Sequence, residues 1–217
     1  MKLADMTWKE ATEKCKDKII LIPHGSTEQH GYHLPLKTDA FIAEKVCEIF
    51  YDSKDVVVAP VMNYTGVRAG KFKLGTVGPN ADEYEEWLKV IISDFMKLKP
   101  GKVFFFLGHD GKTQRLVLNK LIEVYGDKLG YLGAGDCDIN DITETGGHAG
   151  EGETSLMLYL DPKNVQMDKA VDEPWPEDTT NGISESGSDG FPTKATAEKG
   201  KLLLELFRKT LKEKVFG

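Results

Sequence analysis

Cysteine is scarce in these 217 residues. Cys15, Cys47 and Cys137 are odd in number, scattered and without CxxC spacing. That argues against a disulfide framework and against a cysteine-held zinc, and it fits a reducing cytoplasm. Positive charge is also short: 28 Lys and Arg stand against 35 Asp and Glu, a net charge of −7. A phosphate backbone is bound by a basic face, so no nucleic acid is expected as a partner. No apolar run approaches the roughly 20 residues of a membrane span, so no membrane partner is expected. The opening MKLADMTWKE lacks the apolar centre of a secretion signal. GxGxxG and GxxxxGK[ST] loops are absent, which removes a nucleotide cradle, and no GxSxG elbow surrounds Ser26 or Thr27 to make either a nucleophile. There is no internal repeat.

What remains is an ordinary globular composition, 40% apolar and 29% charged, of a length suited to one α/β domain over residues 1–217. Short runs rich in Ile, Val, Phe and Leu at 18–23, 55–61, 102–107 and 128–133 predict buried strands. Helical patterns at 39–51, 81–98 and 113–125 lie between them, followed by helices at 152–160 and 193–214. The βαβα alternation predicts an α/β fold with a mostly parallel sheet and helices on both faces. The stretch between the last two helices, with Pro174-Trp175-Pro176, Gly182, Gly187 and Gly190, reads as a long loop of the kind that forms lids or subunit contacts.

Chemistry concentrates after the first strand. Residues 25–39, GSTEQHGYHLPLKTD, carry two histidines and two acids. In extended backbone Glu28 and His30 point the same way and can share a target, while Asp39 opens the next helix and can be turned back to it. Imidazole with carboxylate suits Zn, Fe or Mn. Ligands of open α/β sheets gather at the carboxyl ends of strands. All five histidines follow strands, His24, His30 and His33 after the first, His109 after the third and His148 after the fourth, which predicts one site. Glu28, His30, Asp39 and His109 would hold one metal ion, or two if Asp39 bridges. A metal-bound hydroxide is a nucleophile at neutral pH because coordination lowers the water pKa from about 15.7 to roughly 7. Hydrolysis is therefore the expected reaction class.

In GGHAGEGETS, His148 is assigned to moving protons and Glu153 to a further ligand or catalytic partner. Glu151 is better read as an acid complementing its helix dipole. Met6, Met62, Met96 and Met157 are packing residues; Trp8, Trp87 and Trp175 are core or interface candidates, with Trp175 also able to meet ligand. Arg68 and Lys112, near the predicted mouth, are read as exposed cations rather than anion ligands.

LIPHGSTEQHGYHLPLKTDAFIAEKV, GHDG, HAGEGETSLML and SGSDGFPTKATAEKG span the chain in order and resemble the creatininase (creatinine amidohydrolase) family. The resemblance implies a three-layer α/β/α sandwich, a homo-oligomer, commonly a hexamer, and a site with two divalent metal ions (Zn, Mn or Fe). It implies that Glu28 and His30 ligate different ions, that Asp39 bridges, that His109 is a further ligand, that His148 moves protons and that Glu153 is a ligand or hydrogen-bond partner. The implied activity is hydrolysis of a non-peptide C–N bond (amide, cyclic amide or formamide) in a small-molecule substrate. Two departures weigh on the substrate. Gly111 stands where creatininase proper has glutamate, and residues 136–147 contain no tryptophan of the kind creatininase places before its histidine. Creatinine is therefore not the expected substrate. A formamidopyrimidine deformylase-type activity, or a degenerate member that binds metal or metabolite without turnover, are the alternatives.

Overall fold

In the computed structural model, which describes residues 1–67, 75–144, 147–173 and 184–217, the four apolar runs form four parallel strands. These are β1 (Ile19–His24), β2 (Val56–Val58), β3 (Lys102–Leu107) and β4 (Leu129–Gly133), in the order β2-β1-β3-β4. Six α-helices are described: α1 (Trp8–Lys14), α2 (Thr38–Cys47), α3 (Ala81–Lys97), α4 (Lys112–Tyr125), α5 (Glu151–Leu160) and α6 (Ala197–Phe216).

Strand alternation divides the apolar residues between two cores. Leu21, Phe104, Phe106 and Leu132 face one core, built with Ile42, Val46, Leu156, Met157, Leu203 and Phe207 from α2, α5 and α6. Ile20, Ile22, Val103, Phe105 and Leu107 face the other, closed by Leu88, Ile92, Val117 and Leu118 from α3 and α4. Because β3 is buried on both faces, its sequence KVFFFL is a continuous apolar run rather than an alternating one. Large buried side chains of this kind each stabilise the fold by about 1.5–3 kcal/mol. The result is the expected three-layer α/β/α sandwich.

Several boundaries differ from the sequence expectation, for local reasons. The second strand stops at Val58 rather than 61 because Pro60 has no N–H to donate; pairing resumes only at Met62, whose N–H donates to the Pro23 carbonyl at 2.9 Å. The helix expected over 39–51 is α-helical to Cys47 and tightens into a 3-10 turn over Glu48–Phe50. The C-terminal helix begins at Ala197 rather than 193, after a Pro192–Lys194 turn and a Thr196 cap. Helix α1 was not anticipated: it has no buried residue, although Thr7 and Glu10 form a complete capping box. Trp8, expected in a core or interface, is 76% exposed, whereas Trp87 packs on the second core as expected. Trp175 and Arg68 lie outside the described residues. Among the described residues no helix is long and apolar enough to cross a membrane.

Candidate metal centre

The chain runs from β1 outward to β2 by way of α2, then crosses back to β3 by way of α3, so the winding reverses between β1 and β3. That switch point opens a crevice at the carboxyl ends of these two strands. Gly25 and Gly108, which follow β1 and β3, let the first turn of α2 sit directly on the strand ends. A Cβ at Gly25 would fall 2.2 Å from the Ala40 nitrogen, and one at Gly108 2.2 Å from the Asp39 carbonyl oxygen. This close approach delivers Asp39 into the crevice.

Asp39 is the hub. Its Oδ1 lies 2.8 Å from His30 Nε2, and its Oδ2 accepts from Ser26 Oγ at 2.7 Å while standing 3.2 Å from His109 Nδ1. Glu28 Oε1 is 3.1 Å from His109 Nδ1 and 3.3 Å from His148 Nδ1. Glu28 Oε2 is buried without a hydrogen-bond partner among the described residues. His30 Nδ1 donates to the Glu28 carbonyl at 3.0 Å, which fixes the ring. From α5, Glu153 Oε2 reaches to 3.6 Å from His30 Nε2 and accepts the Ala149 N–H at 2.6 Å. The His148 ring lies against that of His30, centroids 4.3 Å apart.

Six of the residues singled out by sequence therefore converge: Glu28, His30, Asp39, His109, His148 and Glu153. Three overlapping groups each offer three ligand atoms within 4.8 Å of one another: Glu28, Asp39 and His109; His30, Asp39 and Glu153; and Glu28, His30 and His148. The first two share Asp39 alone. That is the pattern of two ion positions bridged by one carboxylate, each with two carboxylates and one imidazole, a donor set that fits Zn, Mn or Fe.

The electrostatics fit a cation as well. Burial works against the His30 imidazolium, yet Asp39 and Glu153 outweigh it and raise the ring to about 10. His109 is likewise raised despite burial, by Asp39 and Glu28. Asp39, against its own burial, is held well below the usual carboxylate range by His30 and His109. Burial, reinforced by Asp39 and Glu28, raises Glu153 to about 7 against the pull of His30. Protons on His30 and His109 thus balance the buried carboxylates, and metal ions would take their place, because a ligating imidazole is neutral. His148 is lowered to about 4, first by burial and then by His30, and stays neutral.

The remaining histidines do not join the cluster. His24 turns into the core between Tyr84 and Phe105, with Nε2 3.2 Å from the Tyr64 carbonyl, and burial lowers it to about 4. His33 packs against α5, its Nε2 2.8 Å from Thr154 Oγ1. The expectation that all five histidines form one site is corrected to three: the His24 ring lies against Tyr84 and Phe105, and the His33 ring is taken up by Thr154 of α5. Glu151 is structural, as expected. It is wholly buried, accepts the Glu144 N–H at 2.9 Å and pairs with Lys199. Lys112 is exposed, and Asp110 is drawn away by a two-pronged pair with Arg115. Sequence reasoning passed over Gln29, a neutral residue between two ligands, and the bond from Ser26 to Asp39.

A creatininase family model, described as creatinine amidohydrolase, matches residues 4–215. The chain is 32% identical over 199 residues to the mycofactocin precursor peptide peptidase of Mycolicibacterium smegmatis, covering 84% of this chain and 78% of the relative. It is 25% identical over 242 residues to the creatinine amidohydrolase of Pseudomonas putida, covering 94% and 92%. A solved structure described as "Creatininase Mn" superposes with a TM-score of 0.79 at 22% identity, covering 99% and 96%. The two ligand triads sharing Asp39 thus sit in a creatininase fold, and the chain belongs to the creatininase family.

Proposed function

We propose that this protein is a metal-dependent hydrolase of a non-peptide C–N bond, an amide, cyclic amide or formamide, in a small molecule. The observation that carries this reading is the pair of ligand triads joined through Asp39, with Glu28 Oε2 buried and without a hydrogen-bond partner among the described residues. Glu28, Asp39 and His109 would hold one divalent ion and His30, Asp39 and Glu153 the other. When bound, such ions supply a water of lowered pKa and a Lewis acid for the carbonyl oxygen.

The chain's own groups supply the rest. Ser26 and His30 hold the two oxygens of Asp39 in different directions, which suits a carboxylate that must serve two partners. His148, neutral and on the rim of the cluster, takes the proton released as water adds to the carbonyl carbon. It returns that proton to the nitrogen as the C–N bond breaks. Burial of Glu28, His30 and Asp39, each at most 1% exposed, keeps bulk water from competing for their charges. We further propose that the enzyme is a cytoplasmic homo-oligomer, on the strength of its free cysteines and of the family resemblance.

A second reading is favoured by one finding, the peptidase name of the relative at 32% identity: the scissile bond would then belong to a peptide. Metal analysis of the purified protein, followed by assay of creatinine, formamidopyrimidines, small lactams and short peptides, separates the readings. Turnover of a lactam or formamide supports the first and turnover of peptides alone the second. Full metal with no turnover on any of them would point to a binding protein without activity.

A further inference from the structure

Asp110 stands directly after the ligand His109, and its side chain goes elsewhere. The ring of His109 lies over Gly111, where a Cβ would fall 2.5 Å from Nε2, and its Nδ1 faces Glu28 and Asp39. The Asp110 carboxylate instead enters a recess between α4 and the turn after β4. There Arg115 Nε donates to Oδ1 and Arg115 Nη2 to Oδ2, both at 2.5 Å, a fork that fixes the plane of the carboxylate as well as its position. The Gly135 N–H donates to the same Oδ2 at 2.8 Å.

The same arginine holds the turn after β4. Its Nη2 also donates to Asp136 Oδ1 at 2.9 Å, and Asp136 Oδ2 accepts the Gly133 N–H at 2.8 Å. The recess fits these groups closely: a Cβ at Gly133 would lie 2.2 Å from Asp110 Oδ2 and 2.5 Å from Arg115 Nη2, and one at Gly135 2.8 Å from Asp110 Oδ2. The Asp110 side chain is 13% exposed, which sets this fork apart from solvated surface pairs that hold little in place. Gly111 caps α4 without a side chain, so the connection from β3 to α4 is anchored through Asp110. Arg115 thus joins the end of β3 that carries His109, the helix on which the arginine itself stands, and the turn after β4.

We propose that Arg115 is a positioning residue for His109. Through Asp110 it holds the connection from β3 to α4 in the arrangement that keeps His109 Nδ1 within reach of Glu28 and Asp39 together. The inference rests on the reading of Glu28, Asp39 and His109 as one ion position. It goes beyond that reading by naming what keeps this position formed, and by separating it from the other: His30 and Glu153 come from the turn after β1 and from α5, which the clamp does not join.

The test is zinc titration of metal-free protein against a chelator of known affinity, resolving the two ions in wild type, Arg115→Leu, Asp110→Asn and the double variant. Arg115→Leu removes every donor of the fork. Asp110→Asn keeps an acceptor for the Gly135 N–H and breaks the charged fork, and gives the comparison should the leucine variant not fold. In each, one ion is expected to bind about tenfold to a hundredfold more weakly, the usual cost of losing a group that orients a ligand, while the other changes by less than about threefold. The double variant is expected to lose no more than the larger single effect, because both residues act through one contact. Equal weakening of both ions, unchanged affinity for both, or additive losses in the double variant overturns the proposal. Crystals of metal-free Arg115→Leu give a reading independent of metal: the His109 ring is expected to leave its place over Gly111 and to lose its contacts with Glu28 and Asp39, and a ring unmoved there overturns the proposal as well. Wild type that binds fewer than two ions would instead overturn the two-ion reading, and leaves the metal-free structure to judge Arg115 by itself.

Discussion

His24 and His30 are separated by five residues and both are wholly inaccessible to solvent, yet their proton affinities move in opposite directions. His24, among Tyr84 and Phe105, is pushed to about 4 by burial. His30 suffers the same burial and is nevertheless raised to about 10, because Asp39 and Glu153 lie beside it. The difference is one of company: β1 ends with a residue facing the core, and the turn after it faces a crevice into which α2 and α5 each deliver an acid. A histidine is a structural filler in the first place and a candidate ligand in the second, and only the chain's winding decides which.

The comparison breaks most completely if the acid is removed. In Asp39→Asn both triads that share this residue lose a charged ligand, His30 loses its closest acid and His109 one of its two. Metal content is expected to fall below one ion per chain and hydrolysis to background. Metal analysis and the substrate panel read both; a variant that keeps two ions would sink the bridging assignment. Leaving buried charged partners uncompensated also costs about 3–5 kcal/mol, visible as a lower midpoint in denaturant.

His148 sharpens the contrast from the rim. It is placed to move protons, so His148→Ala is expected to lower the rate by about 10²–10⁴ with metal content near that of the unaltered protein. Metal loss equal to that of Asp39→Asn would show instead that His148 is chiefly a ligand in the third triad.

How much of this was legible beforehand follows the range of the interactions. Strand β3 was readable to the residue because both of its faces are buried and Pro100-Gly101 and Gly108 punctuate it. Glu28, His30 and Asp39 were readable because their ligand chemistry is crowded into one turn. Helix α1 was not, since a helix with no buried face has no periodicity to detect, and only its capping box marked it. That His24 and His33 stand apart from the cluster was not readable, because density along the chain does not say which way a ring turns. Gln29 was invisible for a different reason: its partners Gly187 and His148 are 158 and 119 residues away, and an amide has no ligand signature.

His24 itself can be tested through pH. Its folded-state value is depressed to about 4 from 6.5, so the unfolded chain binds its proton first. Stability from this group is intact above pH 6.5 and is lost as pH falls toward 4, by about 3 kcal/mol in total for a shift of this size. Glu153, raised to about 7, acts oppositely over part of that window, because the folded state then binds its proton first. The informative quantity is therefore the difference between metal-free wild type and His24→Gln, whose amide keeps a donor for the Tyr64 carbonyl. The variant is expected to lose less stability between pH 6.5 and 4.5, as read from urea midpoints. Parallel curves would mean that His24 is not held neutral by its apolar surroundings.

The smallest expected effect concerns Gly111, where creatininase proper carries a glutamate. A Cβ at this position would meet His109 Nε2 at 2.5 Å, so the ring of His109 occupies the space a side chain would need. Because His109 Nδ1 must face both Glu28 and Asp39, at 3.1 and 3.2 Å, a displaced ring cannot keep both contacts. Gly111→Ala is expected to weaken metal binding by about tenfold to a hundredfold, the usual cost of disturbing a ligand's orientation, with the fold retained. Competition with a chelator of known affinity measures it. Unchanged affinity would mean that His109 can rotate away without loss, and that the cluster draws its hold on the ions from Glu28, His30, Asp39 and Glu153.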